Sequence, residues 1–356
     1  MPDPESRRLD AEILRFIEKY KTRAHAPEGA FRSLALKIFE HQFRRNLYYR
    51  KFCLLEKRSP ENVKDWKEIP AMPALGFKEL VLTAFPSRTR VRVFHTSGTT
   101  REMKGAHFFD TLDLYERSVL PAFKKFVRPE GTFSFYFLMP SPEEAPHSSL
   151  SCMMGILDRH LASGRGKYYV KKNIPQFRRL AGDLKKEKKK VMLLSTAFAL
   201  KGFLDFLREN KTLLSLPSGS RLMETGGFKG RVKEISKTDL YAECALRLGI
   251  PGKQCVSEYG MTELSSQMYA PVSGDFKGPA WLRTLVIDPK TGKEARKGSP
   301  GILRHVDLAN RGSVLAVQTE DLGRVTRKGF ELLGRAKGST LRGCSLNYET
   351  FIREGV

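Results

Sequence analysis

Residues 96–105 read T-S-G-T-T-R-E-M-K-G, and five side chains in this run can handle a phosphate. Small residues around Gly98 let backbone N–H groups come close to phosphate oxygens. The hydroxyls of Thr96, Ser97, Thr99 and Thr100 add donors, and Lys104 supplies a point charge. The G-x-x-x-x-G-K-[ST] spacing of a Walker loop is absent. On these residues alone, a phosphate cradle and an ordinary polar turn stay equally open. Residues 257–263, S-E-Y-G-M-T-E, add an aromatic ring at Tyr259 that could stack on a base, a flexible Gly260, a hydroxyl at Thr262 within reach of a phosphate, and a hard carboxylate at Glu263 suited to Mg²⁺. Gly226 and Gly227 would let a flat ring lie on the backbone. Thr319-Glu320-Asp321 brings carboxylates for a ribose diol, and Gly334-Arg335-Ala336-Lys337 adds two cations.

These runs sit where strands end. Residues 91–95 are short and β-branched and lead directly into Thr96. Residues 132–138 form an aromatic strand closed by Pro140, with Phe133, Phe135 and Phe137 alternating onto one buried face. Residues 191–195 are apolar and precede a helical pattern at 197–210. Leu222-Met223 precedes the glycine pair, a helix over 238–248 stops at Gly249, and residues 254–257 enter Glu258. Strand, glycine loop, helix and strand in this order predict an α/β fold with mostly parallel sheets flanked by helices. Ligands of such sheets gather at the carboxyl ends of strands. The apolar stripe Ile13, Leu14, Phe16 and Ile17 makes residues 10–20 a helix, and residues 31–50 continue in the same style. After Trp281 the texture turns to hairpins, with strands expected at 285–288, 302–306 and 314–318.

The chain has 356 residues, enough for one large α/β domain or two ordinary ones. With 40% hydrophobic and 29% charged residues it is built to fold. No uncharged apolar run approaches the roughly 20 residues of a membrane-spanning helix, and charges throughout residues 1–23 leave no signal-peptide core. The five cysteines show neither metal-ligand spacing nor a disulfide framework, so reduced thiols and a cytoplasmic location are expected. Cys53, Cys152, Cys244 and Cys255 read as packing residues. A net charge of +24 would draw the chain toward an acidic partner or an anionic lipid surface. No RNA- or DNA-reading module is visible, so nucleic acid is not the expected partner. Lys185–Lys190 is the densest charge run and reads first as a solvated helix end before a buried strand.

Together and in this order, the motifs resemble the adenylate-forming superfamily of acyl- and aryl-CoA ligases, luciferases and adenylation domains. The phosphate run is similar to T-S-G-T-T-G-x-P-K-G, with Arg101 for the glycine and Met103 for the proline. Residues 259–263 resemble Y-G-x-T-E without a mismatch. Thr319-Glu320-Asp321 is similar to T-G-D, residues 298–301 to a proline-glycine turn, and residues 334–337 to the hinge motif. Residues 224–231, 257–263 and 342–346 are most like the LuxE-type long-chain-fatty-acid–protein ligases. Their fold would be the adenylate-forming N-terminal domain with a small antiparallel β subdomain and without the large C-terminal domain. The expected layout is one domain over 1–333, helical in 1–85 and β-rich in 281–333, and a short tail over 334–356 carrying Cys344.

The resemblance implies that ATP with Mg²⁺ and a fatty or other carboxylic acid give an acyl-adenylate, whose acyl group passes to a thiol. Thr96, Ser97, Gly98, Thr99, Thr100 and Lys104 would hold phosphates. Gly226, Gly227, Tyr259 and Gly260 would frame adenine, Thr262 would touch the α-phosphate, Glu263 would bind Mg²⁺, and Asp321 and Arg335 would hold the ribose. Cys344, with Arg342 close by to favour its thiolate, would accept the acyl group. The catalytic lysine that many members of the superfamily carry in a C-terminal domain is expected to have no counterpart here, leaving Lys104, Lys337, Arg335 or a partner chain to supply that charge. An acyl acceptor or reductase would be the protein partner. Two alternatives remain: a coenzyme A ligase similar to phenylacetate-CoA ligase, and a basic polyanion-binding protein on a non-catalytic ligase scaffold.

Overall fold

The protein is described by a computed structural model covering residues 2–96, 104–127, 131–226, 236–271, 274–336 and 351–352. Its contacts divide into two units. The first comprises residues 1–121, 261–267 and 275–356, and the second comprises residues 122–260 and 268–274.

Unit one opens with helices. Asp3 caps Pro4–Tyr20 by accepting from the backbone N–H groups of Glu5 and Ser6 at 3.1 and 3.2 Å. The helical stretch expected at 31–50 is two helices, Glu28–Arg45 and Leu47–Leu55. Asn46 separates them because its extended backbone ends the first while its side chain caps the second, accepting from Tyr49 N–H at 3.1 Å. Three antiparallel strands, Leu282–Ile287, Pro300–Asp307 and Ala316–Val325, carry the expected hairpins. Met72–Pro73 adds in parallel to the last of them, and Phe330–Arg335 pairs antiparallel with it. A separate two-stranded ribbon pairs Arg92–His95 with Ala106–Phe109.

Unit one also holds a buried ion cluster. Arg311, 1% exposed, donates to Asp10 at 2.7 and 2.9 Å and to Asp110 at 2.9 and 3.0 Å. It thereby ties the first helix to the end of the ribbon strand Ala106–Phe109.

Unit two is a seven-stranded sheet. Its five central strands, Lys167–Lys171, Phe133–Pro140, Lys190–Thr196, Arg221–Thr225 and Cys255–Tyr259, run parallel in that spatial order. Ile174–Pro175 and Met268–Pro271 pair antiparallel at the two edges. Helices Phe177–Lys186, Ala197–Glu209 and Lys237–Leu248 bury Leu180, Leu184, Leu200, Phe203, Leu204 and Leu248 in one apolar cluster with sheet residues such as Leu193 and Leu222. Phe133, Phe135 and Phe137 are buried as expected, but so are Tyr136 and Leu138 between them, because a central parallel strand is covered on both faces.

Candidate functional site

In unit one the ribbon holds the two ends of the phosphate run together. Thr96 N–H donates to the Gly105 carbonyl at 2.9 Å, and Gly105 N–H returns a bond to Thr96 Oγ1 at 2.8 Å. A Cβ on Gly105 would lie 2.9 Å from Thr96 Cγ2 and 3.3 Å from the Phe77 carbonyl, so only glycine fits this approach. Lys104 is exposed beside it. Ser97, Gly98, Thr99 and Thr100 lie outside the described residues.

The last three residues of the second motif, Met261–Glu263, belong to this unit and meet the mouth there. Thr262 Oγ1 donates to the His95 carbonyl at 3.4 Å, and His107 Nδ1 donates to the Thr262 carbonyl at 2.8 Å. Burial pushes the His107 imidazolium down to a pKa of about 4, so near neutrality the ring is an uncharged strut rather than an acid. Its ring packs edge-on against Phe77.

Glu263 follows and is 7% exposed. Burial raises its carboxyl to about 7, against the pull of Arg335 and Lys78 and with a further push from Asp321. Arg335 Nε stands 3.6 Å from Asp321 Oδ1 across the strand pair that registers these two residues opposite each other. Ribbon mouth, Thr262, Glu263, Asp321 and Arg335 are therefore brought together in one unit. Lys337 and Cys344 lie outside the described residues.

A buried polar network outside the motifs holds the segment that carries Thr262 and Glu263 in place. Asn310 Nδ2 donates to the carbonyls of Glu263 and Val314, each at 2.8 Å, and its Oδ1 accepts from Ser265 Oγ at 2.7 Å. Asp307 accepts from Ser265 N–H at 2.9 Å and from Ser266 Oγ at 2.7 Å. Trp281 Nε1 donates to Ser118 Oγ at 3.0 Å and Ser266 Oγ at 3.1 Å. The available signal was the Asp-x-x-Asn spacing at 307–310 just after a strand, an Asx pattern that folds back on local backbone.

In unit two, Gly226 and Tyr259 end adjacent parallel strands, one position beyond the register pair Thr225 and Glu258. Gly226 has φ +75°, a left-handed turn that favours glycine. Tyr259 is buried, and Gly260 closes this part of the unit. Gly227 lies outside the described residues. Behind the strand ends, Thr225 Oγ1 donates to Glu258, while Lys237 and Tyr241 both donate to Glu224 Oε1. Burial raises the Glu258 carboxyl to about 7.

Residues 18–352 match the family described as acyl-protein synthetase, LuxE. The chain belongs to that family. Its fold is that of adenylate-forming ligases. A structure of 2-hydroxyisobutyryl-CoA ligase with 2-HIB-AMP and CoA aligns at TM-score 0.66 and 15% identity, covering 88% of this chain and 77% of that one. The same ligase in its postadenylation state aligns at TM-score 0.66 and 14% identity, covering 90% and 72%. Curated protein sequences yield no match. Membership in the LuxE family makes this an adenylate-forming ligase, for which ATP is the co-substrate.

The residues of unit one fit a Mg²⁺ ion as companion to that ATP. Glu263 is a buried carboxyl whose ionised form burial disfavours, and a cation beside it would favour that form. Among the described residues no cluster of three His, Cys, Asp or Glu could form an all-protein cage. A hard cation at Glu263 would complete its shell with phosphate oxygens and water, the usual habit of Mg²⁺. Also among the described residues, no helix is long and apolar enough to cross a membrane.

Proposed function

We propose that the chain activates a fatty or other carboxylic acid and transfers its acyl group to the thiol of Cys344, for delivery to a partner protein. A carboxylate oxygen attacks the α-phosphorus of ATP, the bond to the bridging oxygen breaks, and pyrophosphate leaves. The Cys344 thiolate then attacks the acyl carbonyl carbon, the bond to AMP breaks, and a thioester forms. The first step asks the protein to position two anions and to stabilise charge on the phosphates, without a nucleophile of its own. Lys104 and Arg335 supply cations for this, joined in the motif reading by Lys337. Within unit one, Thr262 would contact the α-phosphate and Asp321 the ribose. Mg²⁺ held by Glu263 would neutralise phosphate charge.

The observation that carries the reading is the grouping of Glu263 with Arg335, Asp321 and the Thr96–Gly105 mouth in unit one. Carboxylate-dependent exchange of pyrophosphate into ATP tests the first step. A hydroxylamine-labile acyl label, lost in Cys344→Ala while exchange persists, tests the second. Labelling unchanged in that variant, or acyl-CoA formation independent of Cys344, overturns the protein-thiol step. Absence of exchange with every acid in a panel of fatty and aromatic acids overturns the whole reading.

A further inference from the structure

Residues 159–190 of unit two carry twelve Lys or Arg against two acids, so about a tenth of the sequence holds ten of its 24 net positive charges. All twelve are exposed. The two acids are half-buried, each accepting a tyrosine hydroxyl. Glu144, from outside the segment, accepts the Lys172 N–H at 3.1 Å, so the cations outnumber the acids around them without being free of them. Asp183 accepts the Tyr169 hydroxyl at 2.6 Å, and Glu187 accepts the Tyr136 hydroxyl at 2.9 Å. These tyrosines stack on each other, with Arg179 over one ring and Lys167 over the other. Two of the cations thus cap a tyrosine pair shared by strands Phe133–Pro140 and Lys167–Lys171, beside helix Phe177–Lys186.

The same strand turns into the edge strand Ile174–Pro175 through a two-residue hairpin in which Lys171 pairs with Ile174. Lys172 and Asn173 form the turn with φ of 48° and 62°, the left-handed geometry of a tight hairpin. Ile174 beside it is 67% exposed. An aliphatic side chain at a hairpin tip flanked by lysines suits the boundary between anionic headgroups and acyl chains. A single-stranded nucleic acid would need free rings on which to stack. Here Tyr168 stacks on Phe137, Tyr169 on Tyr136, and Phe177 packs on Phe203 and Phe206.

We propose that this basic edge docks the protein on anionic phospholipid surfaces, with Ile174 entering the interface. The test is co-sedimentation of the full chain with phosphatidylcholine vesicles with and without phosphatidylglycerol, at low and high salt. Binding is expected only with phosphatidylglycerol and is expected to weaken with salt. Each cation removed should lower partitioning about fivefold. The variant K171Q/K172Q/K185Q/K186Q should therefore lose binding by roughly several hundredfold, and I174S should weaken it at constant charge. Removing four cations elsewhere, in K290Q/K293Q/R296Q/K297Q, should leave most of it. These positions are exposed, and unchanged melting would confirm that each variant folds. Equal losses in the two quadruple variants, equal binding to neutral vesicles, or binding of single-stranded RNA without binding of vesicles would overturn the proposal.

Discussion

Asn310 grips Glu263 by its backbone: the amide nitrogen of the one donates to the carbonyl of the other at 2.8 Å, and both residues are buried. The carboxyl proposed to meet the metal is thus aimed by a residue 47 positions later in the chain. Asn310→Ala removes this bond, the donation to Val314 and the acceptance from Ser265. It leaves two buried carbonyls unsatisfied, each costing about 1–3 kcal/mol. We expect a stability loss of about 2–4 kcal/mol in denaturant titration. Pyrophosphate exchange should fall as well, measured at a temperature where the variant is still folded.

Glu263 itself gives a different signature. Glu263→Gln keeps the shape and removes the hard anionic ligand. ATP with Mg²⁺ should raise the melting temperature of the parent protein and should raise that of the variant little or not at all. A chelator should remove the shift in the parent. Exchange activity should drop at least ~10-fold, a loss of about 1.4 kcal/mol in transition-state stabilisation. A variant that keeps the full Mg²⁺-dependent shift would remove Glu263 from the metal role.

The elements that carry the motifs were in part legible in the sequence because they depend on local order. The strand leading into Thr96 and the one ending at Tyr259 follow from short-range pattern, whereas the pairing that sets Asp321 opposite Arg335 was not expected, because residues 334–337 read as a hinge and no strand was foreseen there. Asp307, Asn310 and Arg311 were not legible, since their roles depend on partners such as Glu263, Ser265 and Asp10 that only the tertiary fold supplies. The break at Asn46 was missed for a related reason. Apolar periodicity runs through it, and the stop is a side-chain cap backed by a buried bond to the Ser313 carbonyl. Lys78, beside Glu263, lies in a short helix with nothing in its local sequence to mark it.

Glu258 should make stability depend on pH. Burial raises its carboxyl to about 7, from an ordinary value near 4.5, although the Thr225 hydroxyl pulls the other way. The folded state therefore favours the protonated form. Its contribution is fully present below the unfolded pKa and is lost as pH rises through about 7. Full ionisation costs on the order of 3 kcal/mol. Glu258→Gln cannot ionise, so it should flatten this part of the stability curve and melt higher than the parent at alkaline pH. Parallel curves for the two proteins between acid and alkaline pH would show that Glu258 titrates normally.

Arg311 is the residue whose loss should be most costly outside the motifs. Its guanidinium is the buried counter-charge for both Asp10 and Asp110, with four hydrogen bonds linking the first helix to the end of the ribbon strand Ala106–Phe109. Removing one partner from a buried ionic cluster costs about 3–5 kcal/mol, because the charges left behind have lost both water and their pair. Arg311→Leu strands two carboxylates and should reach or exceed that range. Replacing the carboxylates as well, in the triple variant with Asp10→Asn and Asp110→Asn, removes the stranded charges and should recover part of the loss. Additive destabilisation across the three positions in denaturant titrations would mean that the cluster does not act as a unit.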